Sequence, residues 1–346
     1  MLNHKLVFII CVFIAVYLIF LYQHKIQLMF NSSNISLYTP NSMKVDDYTE
    51  SIITRKIIEG KKIAKQRKII ITALLRDTEE EIPHIIKKTE AVGNLFEDYR
   101  ILIVENNSKD LTRFKLLEWA KINPKVIILG CGVNYIPPEG EMCDIKFASK
   151  KTEGHGVDRV RINKMVELRN LLLESIKSSG VLRNFDYTIM WDLDIVGTVY
   201  LDGILASVYE FENYKNSGVS AICSQGIRKY GGGLLSIYYD TYAHIDHGDN
   251  FHLDNKFFHD INKGYKHGQH RRGSDLVNVK SCFSGFTIYR TKDLLPENVK
   301  YTMTEQSDNK GKKSTNIECE HVRLAKTLRG RVTLNPNMVN LVLLNK

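Results

Sequence analysis

Residues Asp186-Tyr187-Thr188-Ile189-Met190-Trp191-Asp192-Leu193-Asp194-Ile195 decide the fold class. Tyr187, Ile189, Trp191 and Leu193 alternate with their neighbours, which suits a strand covered on at least one face. The strand ends in two carboxylates one residue apart. In open α/β sheets, ligands bind beyond the carboxyl ends of the strands, where Asp192 and Asp194 fall. Residues i and i+2 of a strand share a side, so both carboxylates can face one ion. Two hard oxygen ligands beside a phosphate suit Mg2+ or Mn2+, which keep several waters and share the oxygens of a substrate. The plainer alternative is one Asp capping the next helix and the other solvated. An isolated Asp-x-Asp is common, so the surrounding sequence has to decide.

Outward from this strand, strand-like and helix-like segments alternate, the pattern of a mostly parallel sheet with helices on its faces. Residues 68–74 and 99–105 read as strands, 80–93 and 111–122 as helices, 126–129 as a strand and 157–179 as a long amphipathic helix. There is no internal repeat. The expected class is therefore α/β, Rossmann-like, in one domain over residues 67–346, a length sufficient for one substantial core. Composition is ordinary, 43% hydrophobic and 25% charged, which excludes disordered and collagen-like classes.

Both early strands run into polar clusters, Arg76-Asp77 and Glu105-Asn106-Asn107-Ser108-Lys109-Asp110. Such residues cap helices and make turns. They also form the crevice where a nucleotide sits, and Asp77, Glu105 and Asn106 are candidates for contacting its base or ribose. No Gly-x-Gly-x-x-Gly and no P-loop occurs, which argues against a dinucleotide or P-loop site. The helix over 157–179 carries Arg159 and Arg169, ten residues or close to three turns apart, so both can address one edge of the sheet. A basic edge opposite the carboxylate pair suits a pyrophosphate–metal complex. The alternative is a solvated basic face.

Further along, Val219–Ser224 reads as a strand, and Tyr230-Gly231-Gly232-Gly233 as a loop tip. Tyr239 and Asp240, in Ile237–Tyr242, combine an aromatic face with a carboxylate, a pairing suited to an acceptor sugar or, equally, to a packed strand. His244–Lys280 contains six histidines but no compact zinc motif and is expected to be a long loop. Val279–Arg290 reads as a strand with small residues, Ser284 and Gly285, early in it; a glycine bulge is the structural alternative. Asn316–Leu324 opens a helix in which Glu318 suits the N-terminal dipole, and residues 331–334 form a last strand.

The N-terminus differs in kind. Leu6–Tyr22 is an uncharged apolar run spanning about 26 Å as a helix, the short end of a bilayer crossing. No small-residue cleavage site follows it, so the expectation is an uncleaved signal anchor over 6–22 with a cytoplasmic tail of residues 1–5. Residues 23–66 read as a stem. Two glycosylation sequons, Asn31-Ser32-Ser33 and Asn34-Ile35-Ser36, fit a lumenal C-terminal side, in the ER or Golgi. The net charge of +9 favours anionic partners, but no nucleic-acid module is present and no nucleic-acid role is expected.

The anchor, ILIVENNSKDLT (101–112), RVRINKMVELRN (159–170) and YTIMWDLDIVG (187–197) together resemble a GT-A-fold glycosyltransferase, most similar to the fungal capsule-type α-1,3-mannosyltransferase family, over about residues 68–335. The resemblance implies a metal-dependent transfer of a sugar, mannose among the candidates, from a nucleotide-diphosphosugar to a hydroxyl of a glycan or glycoconjugate. It implies that Asp192 and Asp194 hold the metal with His321 as third ligand, that Ser284 and Gly285 line the donor sugar, and that Glu318 or Glu320 deprotonates the acceptor. Two rivals remain: a non-catalytic glycan-binding protein on a degenerate scaffold of this kind, and a metal-dependent phosphohydrolase. Of six cysteines Cys11 lies in the anchor, leaving five; Cys131–Cys143 and Cys282–Cys319 are the pairs the sequence offers in an oxidising compartment.

Overall fold

The computed structural model describes residues 36–342 apart from 107, 130–158, 196, 214, 216, 231–234, 249–269, 304 and 308–312. Helix α1 (Asp47–Ala64) is followed by β1 (Lys68–Leu75), α2 (Ile82–Gly93), β2 (Asp98–Glu105), α3 (Thr112–Ile122) and β3 (Val126–Leu129). Next come α4 (Arg159–Ser178), β4 (Tyr187–Trp191), α5 (Leu201–Glu212), β5 (Val219–Tyr230), β6 (Leu235–Tyr239), β7 (Ile245–Asp246) and β8 (Val277–Ser281). The chain ends with β9 (Phe286–Arg290), α6 (Thr291–Leu294), β10 (Glu305–Ser307), β11 (Lys313–Ile317), α7 (Glu320–Ala325) and β12 (Arg331–Val342).

One sheet dominates, with strand order β3-β2-β1-β4-β9-β5-β12-β8-β7 and β6 paired to β5; β10 and β11 form a separate hairpin. The half from β3 to β4 is parallel. Beyond it β9 enters antiparallel between β4 and β5, β12 lies parallel to β5, and β8 and β7 run antiparallel at the edge. The fold is α/β as expected, but the sheet is mixed rather than mostly parallel. Strand–helix alternation, which forces parallel pairing, holds only as far as β5; β5 and β6 then pair as a hairpin. The strand expected over Val279–Arg290 is two strands, β8 and β9, parted by residues 282–285 and lying in different places in the sheet.

The period of two sorts the central strands between two cores. On one face Ile69, Ile71, Ala73, Ile101, Ile103, Ile189 and Trp191 pack against Ile82, Ile85 and Val92 of α2, Leu116 and Trp119 of α3, and Ile204 and Val208 of α5. On the other, Ile70, Leu102 and Val104 meet Leu168, Leu172 and Ile176 of α4. Helix α5 has no counterpart in the sequence reading. Ten of its twelve residues are buried, so it lacks the polar stripe that reveals a surface helix.

The apolar run 6–22 lies outside the described residues, among which no helix is long and apolar enough to cross a membrane. The expected stem is structured in the part that is described. Ser36 bridges Tyr200, and the backbone N–H and hydroxyl of Thr39 both donate to Asp202 at 2.8 Å. Asp46 caps α1 by accepting from the Thr49 N–H. Helix α1 then lies along α5, where Lys56 pairs with Glu210 at 2.6 Å. The contact is close enough that a Cβ on Gly60 would stand 1.9 Å from the Leu205 carbonyl oxygen.

Gly60→Val is therefore expected to force α1 off α5 and cost about 1–3 kcal/mol, read as a lower midpoint in chemical denaturation. Gly180→Ala, where a Cβ would meet nothing within 4 Å, is the control and should stay within about 0.5 kcal/mol of wild type.

Candidate functional site

The site is built where β4 ends. Asp192 follows the last residue of β4, and its backbone N–H donates to the Gly285 carbonyl at 2.9 Å. Its carboxylate accepts from Arg169 Nη2 at 2.9 Å. Arg169 comes from the buried stripe of α4 and is only 2% exposed. Its Nε donates to Glu320, at the start of α7, at 3.1 Å. Phe283 and Tyr301 lie under the guanidinium, their ring centroids 5.3 and 5.9 Å from its carbon. Burial pulls against the charge of Arg169, but Asp192 and Glu320 outweigh it and hold the guanidinium protonated.

More carboxylates than cations surround this pair. Burial raises the pKa of Asp192 above the usual range against the pull of Arg169, and Glu320 adds to the rise. Asp194 sits exposed in the turn after β4; the protein packed beneath it and then the charge of Asp192 push it up to about 6. Asp240, buried at the end of β6, accepts from the Tyr242 N–H at 3.0 Å, and burial, then Asp192 and Glu320, push it up to about 7. Arg161, one turn into α4, is within electrostatic reach of both Asp192 and Asp194. Arg159 opens the helix, about 15 Å along its axis from Arg169.

The turn between β8 and β9 closes the site from the other side. Ser284 and Gly285 both have left-handed backbone, φ 58° and 78°. A Cβ on Gly285 would also crowd the Ile195 side chain at 3.1 Å, so glycine suits the position by conformation, and a larger residue would need Ile195 to shift. The buried Ser284 hydroxyl donates to Tyr238, and its carbonyl accepts from Ser224 and Asn340 at 3.1 and 3.3 Å. A disulfide joins Cys223 of β5 to Cys282 at the start of this turn. The expected Cys282–Cys319 pair is therefore not formed. Cys319 is a free, buried thiol whose Sγ is 3.6 Å from Glu320. The reason is topological: β9 returns alongside β5 with Thr287 opposite Cys223, which brings the turn over that cysteine. Cys131 and Cys143 lie outside the described residues.

The family described as Cryptococcal mannosyltransferase 1 matches residues 68–323. The chain belongs to this family. The match runs from the first residue of β1 into α7 and so takes in Asp192, Asp194, Asp240, Glu320 and His321. Solved structures to which the chain is similar include Staphylococcus aureus TarS 1–349, at 10% identity and TM-score 0.44, covering 80% of this chain and 60% of that one. The complex of TarS 1–349 with UDP-GlcNAc matches at 10% and 0.43, covering 81% and 59%. The mannosyltransferase PcManGT from Pyrobaculum calidifontis, in complex with GDP-Man and Mn2+, matches at 9% and 0.43, covering 86% and 68%. The chain thus spans about three fifths of the TarS chains. No curated protein matches it.

In this member of the mannosyltransferase family the remaining candidate residues divide. His321 comes close: its ring stacks on Phe283 with centroids 3.5 Å apart, and its Nε2 lies 3.7 Å from Glu320. Among the described residues neither buried ring nitrogen has a hydrogen bond, and burial followed by Arg169 keeps the imidazole neutral. Yet the described residues contain no group of three or more His, Cys, Asp or Glu placed to hold one ion, so His321 and the Asp pair are not assembled as a ready ligand set. Glu318 is engaged elsewhere, with Lys326 at 2.9 Å and Arg323 at 3.4 Å.

The nucleotide crevice shows the same division. Glu105 is fully buried, paired with Arg113 and accepting from the Ser108 N–H at 2.9 Å. Asp77, with φ 50°, accepts from the Lys109 N–H at 2.6 Å and ties the loop after β1 to the loop after β2. Asn106 is different: its amide is buried, and among the described residues neither its oxygen nor its nitrogen has a partner. A buried amide left unsatisfied is costly, and at this strand end a ligand is the natural partner. Tyr239 is buried against Gly285, its ring 3.7 Å from the position of a Cβ there. Arg161 belongs to the basic helix that the sequence shows but is not among the candidates it singles out; its charge nonetheless reaches Asp192 and Asp194.

Asp240 gives a pH test. Its folded pKa of about 7 lies above the ordinary 3.8, so between those values the folded chain keeps a proton that the unfolded chain releases. Stability contributed by this group is present at low pH and lost as pH rises through about 7. Asp240→Asn keeps an acceptor for the Tyr242 N–H and has no proton to lose. Urea unfolding at pH 5, 6, 7 and 8 should show a shallower loss of stability in the variant; parallel curves would refute the assignment.

Proposed function

We propose that this protein is a membrane-anchored mannosyltransferase that moves mannose from a nucleotide-diphosphosugar to a hydroxyl of a glycan or glycoconjugate. The observation that carries the reading is the Asp192–Arg169–Glu320 assembly at the carboxyl end of β4, within a chain of the mannosyltransferase family. An open strand end bearing carboxylates and a buried guanidinium suits a diphosphate, whose charge has to be neutralised as it leaves.

Mn2+ or Mg2+ is part of this reading, and the donor set fits it. Asp192 and Asp194 are neighbouring carboxylates whose pKa values are raised, Asp192 by burial and the exposed Asp194 by the protein packed beneath it and then the charge of Asp192, a strain that a cation relieves. Asp192 and Asp194 would hold the ion, with donor oxygens and water completing its shell; His321, which is not assembled with them among the described residues, lies outside that set. When bound, the metal supplies charge neutralisation for the departing diphosphate. The protein's own groups do the rest. Arg169 orients Asp192; Asn106, with Asp77 and Glu105 shaping the loops around it, meets the nucleotide. Ser284 and Gly285 border the sugar, Tyr239 and Asp240 the acceptor. Arg159, at the head of α4, adds to the positive edge facing the donor. Of the two acidic residues put forward as base, Glu320 adjoins the assembly, whereas Glu318 is held by Lys326 and Arg323. The run 6–22 serves as a single-pass type II anchor and places residues 23–346 in the lumen of the ER or Golgi.

The test is nucleoside diphosphate release from a panel of nucleotide-sugars, GDP-mannose among them, with Mn2+ or with EDTA. Release from one donor, abolished by EDTA and reduced at least about 100-fold in Asp192→Ala/Asp194→Ala, is expected. Glycan binding without turnover, unchanged in the double variant, would instead favour a lectin-like role.

A further inference from the structure

Helix α2 contains a lysine that no part of this reading uses. Lys87 and Lys88 are adjacent, yet Lys87 is exposed and Lys88 is 5% exposed. Lys88 lies in the buried stripe of α2 with Ile85, Thr89 and Val92. A buried ammonium is ordinarily paired, because leaving it unpaired costs its solvation. Among the described residues no carboxylate lies within ion-pair distance of Lys88; burial lowers its pKa, and Glu81 and then Asp194 oppose that through longer-range charge.

The topology says where this ammonium is directed. Helix α2 crosses from β1 to the parallel β2, so its N-terminus starts from the carboxyl ends of the strands. Side chains on a helix lean toward its N-terminus. The stem of Lys88 therefore runs toward the carboxyl edge of the sheet. The two charges that act on it agree: Glu81 immediately precedes α2, and Asp194 follows β4, the strand paired with β1. Lys88 approaches this edge from the α2 face, whereas Arg169 reaches Asp192 from α4 on the opposite face.

We propose that Lys88 is a donor-binding residue, whose ammonium takes an anionic oxygen of the nucleoside diphosphate at the β1–β4 edge. This rests on the nucleotide-sugar reading above and adds to it a cation from the far face of the sheet. The diphosphate would then lie between two positive groups, Arg169 behind Asp192 and Lys88 beneath Asp194. A compact ammonium on a flexible stem suits a phosphate oxygen at such a place.

The experiment titrates GDP and UDP, with Mn2+ present, into the full-length chain in detergent by calorimetry, for wild type, Lys88→Met and the exposed neighbour Lys87→Met. Lys88→Met should weaken the nucleoside diphosphate that wild type binds by roughly 10- to 100-fold, the cost of one charged hydrogen bond, while Lys87→Met changes it by less than about 2-fold. The melting temperature of Lys88→Met should equal or exceed that of wild type, because methionine fills an apolar stripe without an unpaired charge. Wild-type affinity in Lys88→Met overturns the proposal and leaves the donor reading intact. A lower melting temperature in Lys88→Met also overturns it, since the ammonium would then be holding the fold. A wild type that binds neither diphosphate overturns the donor reading, and this proposal with it.

Discussion

The structure turns on one buried guanidinium. Arg169 is nearly removed from water, and such a charge persists only if carboxylates and aromatic faces replace the solvent it gave up. Asp192 and Glu320 supply the first, Phe283 and Tyr301 the second. These partners lie 23 and 151 residues away for the carboxylates, so a single side chain ties α4, the end of β4 and the start of α7 into one arrangement. Breaking a buried pair of this kind by deleting one partner typically costs about 3–5 kcal/mol, a large share of the stability of any domain. Site and fold are therefore not separable here: the geometry that presents Asp192 also closes the second half of the sheet onto the first.

The turn at residues 282–285 is the counterpart of that pair. Left-handed backbone at Ser284, a residue with a Cβ, costs energy unless the surroundings hold it. They do so through the Tyr238, Ser224 and Asn340 contacts and the adjacent Cys223–Cys282 disulfide. The result is that the Gly285 carbonyl meets the Asp192 N–H, and β9 enters between β4 and β5 in the opposite direction. Tyr238 also touches His244, whose other nitrogen reaches Asp246 at 3.0 Å, so the turn is braced as far as the sheet edge.

How much of this could be read in the sequence follows from which interactions are local. The strands around Ile69–Leu75 and Ile101–Glu105, and the carboxylates after Trp191, were legible because an apolar run and the polar residue that ends it are adjacent in the chain. Arg169 was legible as a member of a basic helix, but not as buried, since burial is set by Glu320 far downstream. The reverse holds for Glu105: it reads as a free carboxylate at a strand end, yet Arg113, on the next helix, consumes its charge. Mixed pairing, the Cys223–Cys282 bridge and the packing of α1 on α5 depend on strand order or on a backbone approach at Gly60, and no local pattern encodes either.

Charge balance around the assembly completes the argument. Asp192, Asp194, Asp240 and Glu320 gather near Arg169 and Arg161, although the chain as a whole carries a net charge of +9. A fold that merely needed to satisfy Arg169 required two carboxylates, and Asp192 with Glu320 already provide them. Asp194 and Asp240 are surplus to that need, and each carboxyl is raised, Asp194 by the protein beneath it and then the charge of Asp192, Asp240 by burial and then Asp192 and Glu320. Local negative charge beyond structural need is what the proposed metal-assisted donor site calls for. Among the described residues Lys88 has no ion pair on the other face; burial lowers its pKa against the pull of Glu81 and Asp194, and an anion at this edge would hold it as an ammonium. Excess of both signs at one strand end is what the proposed metal–diphosphate ligand would answer, its cation facing the carboxylates and its anionic oxygens the lysine.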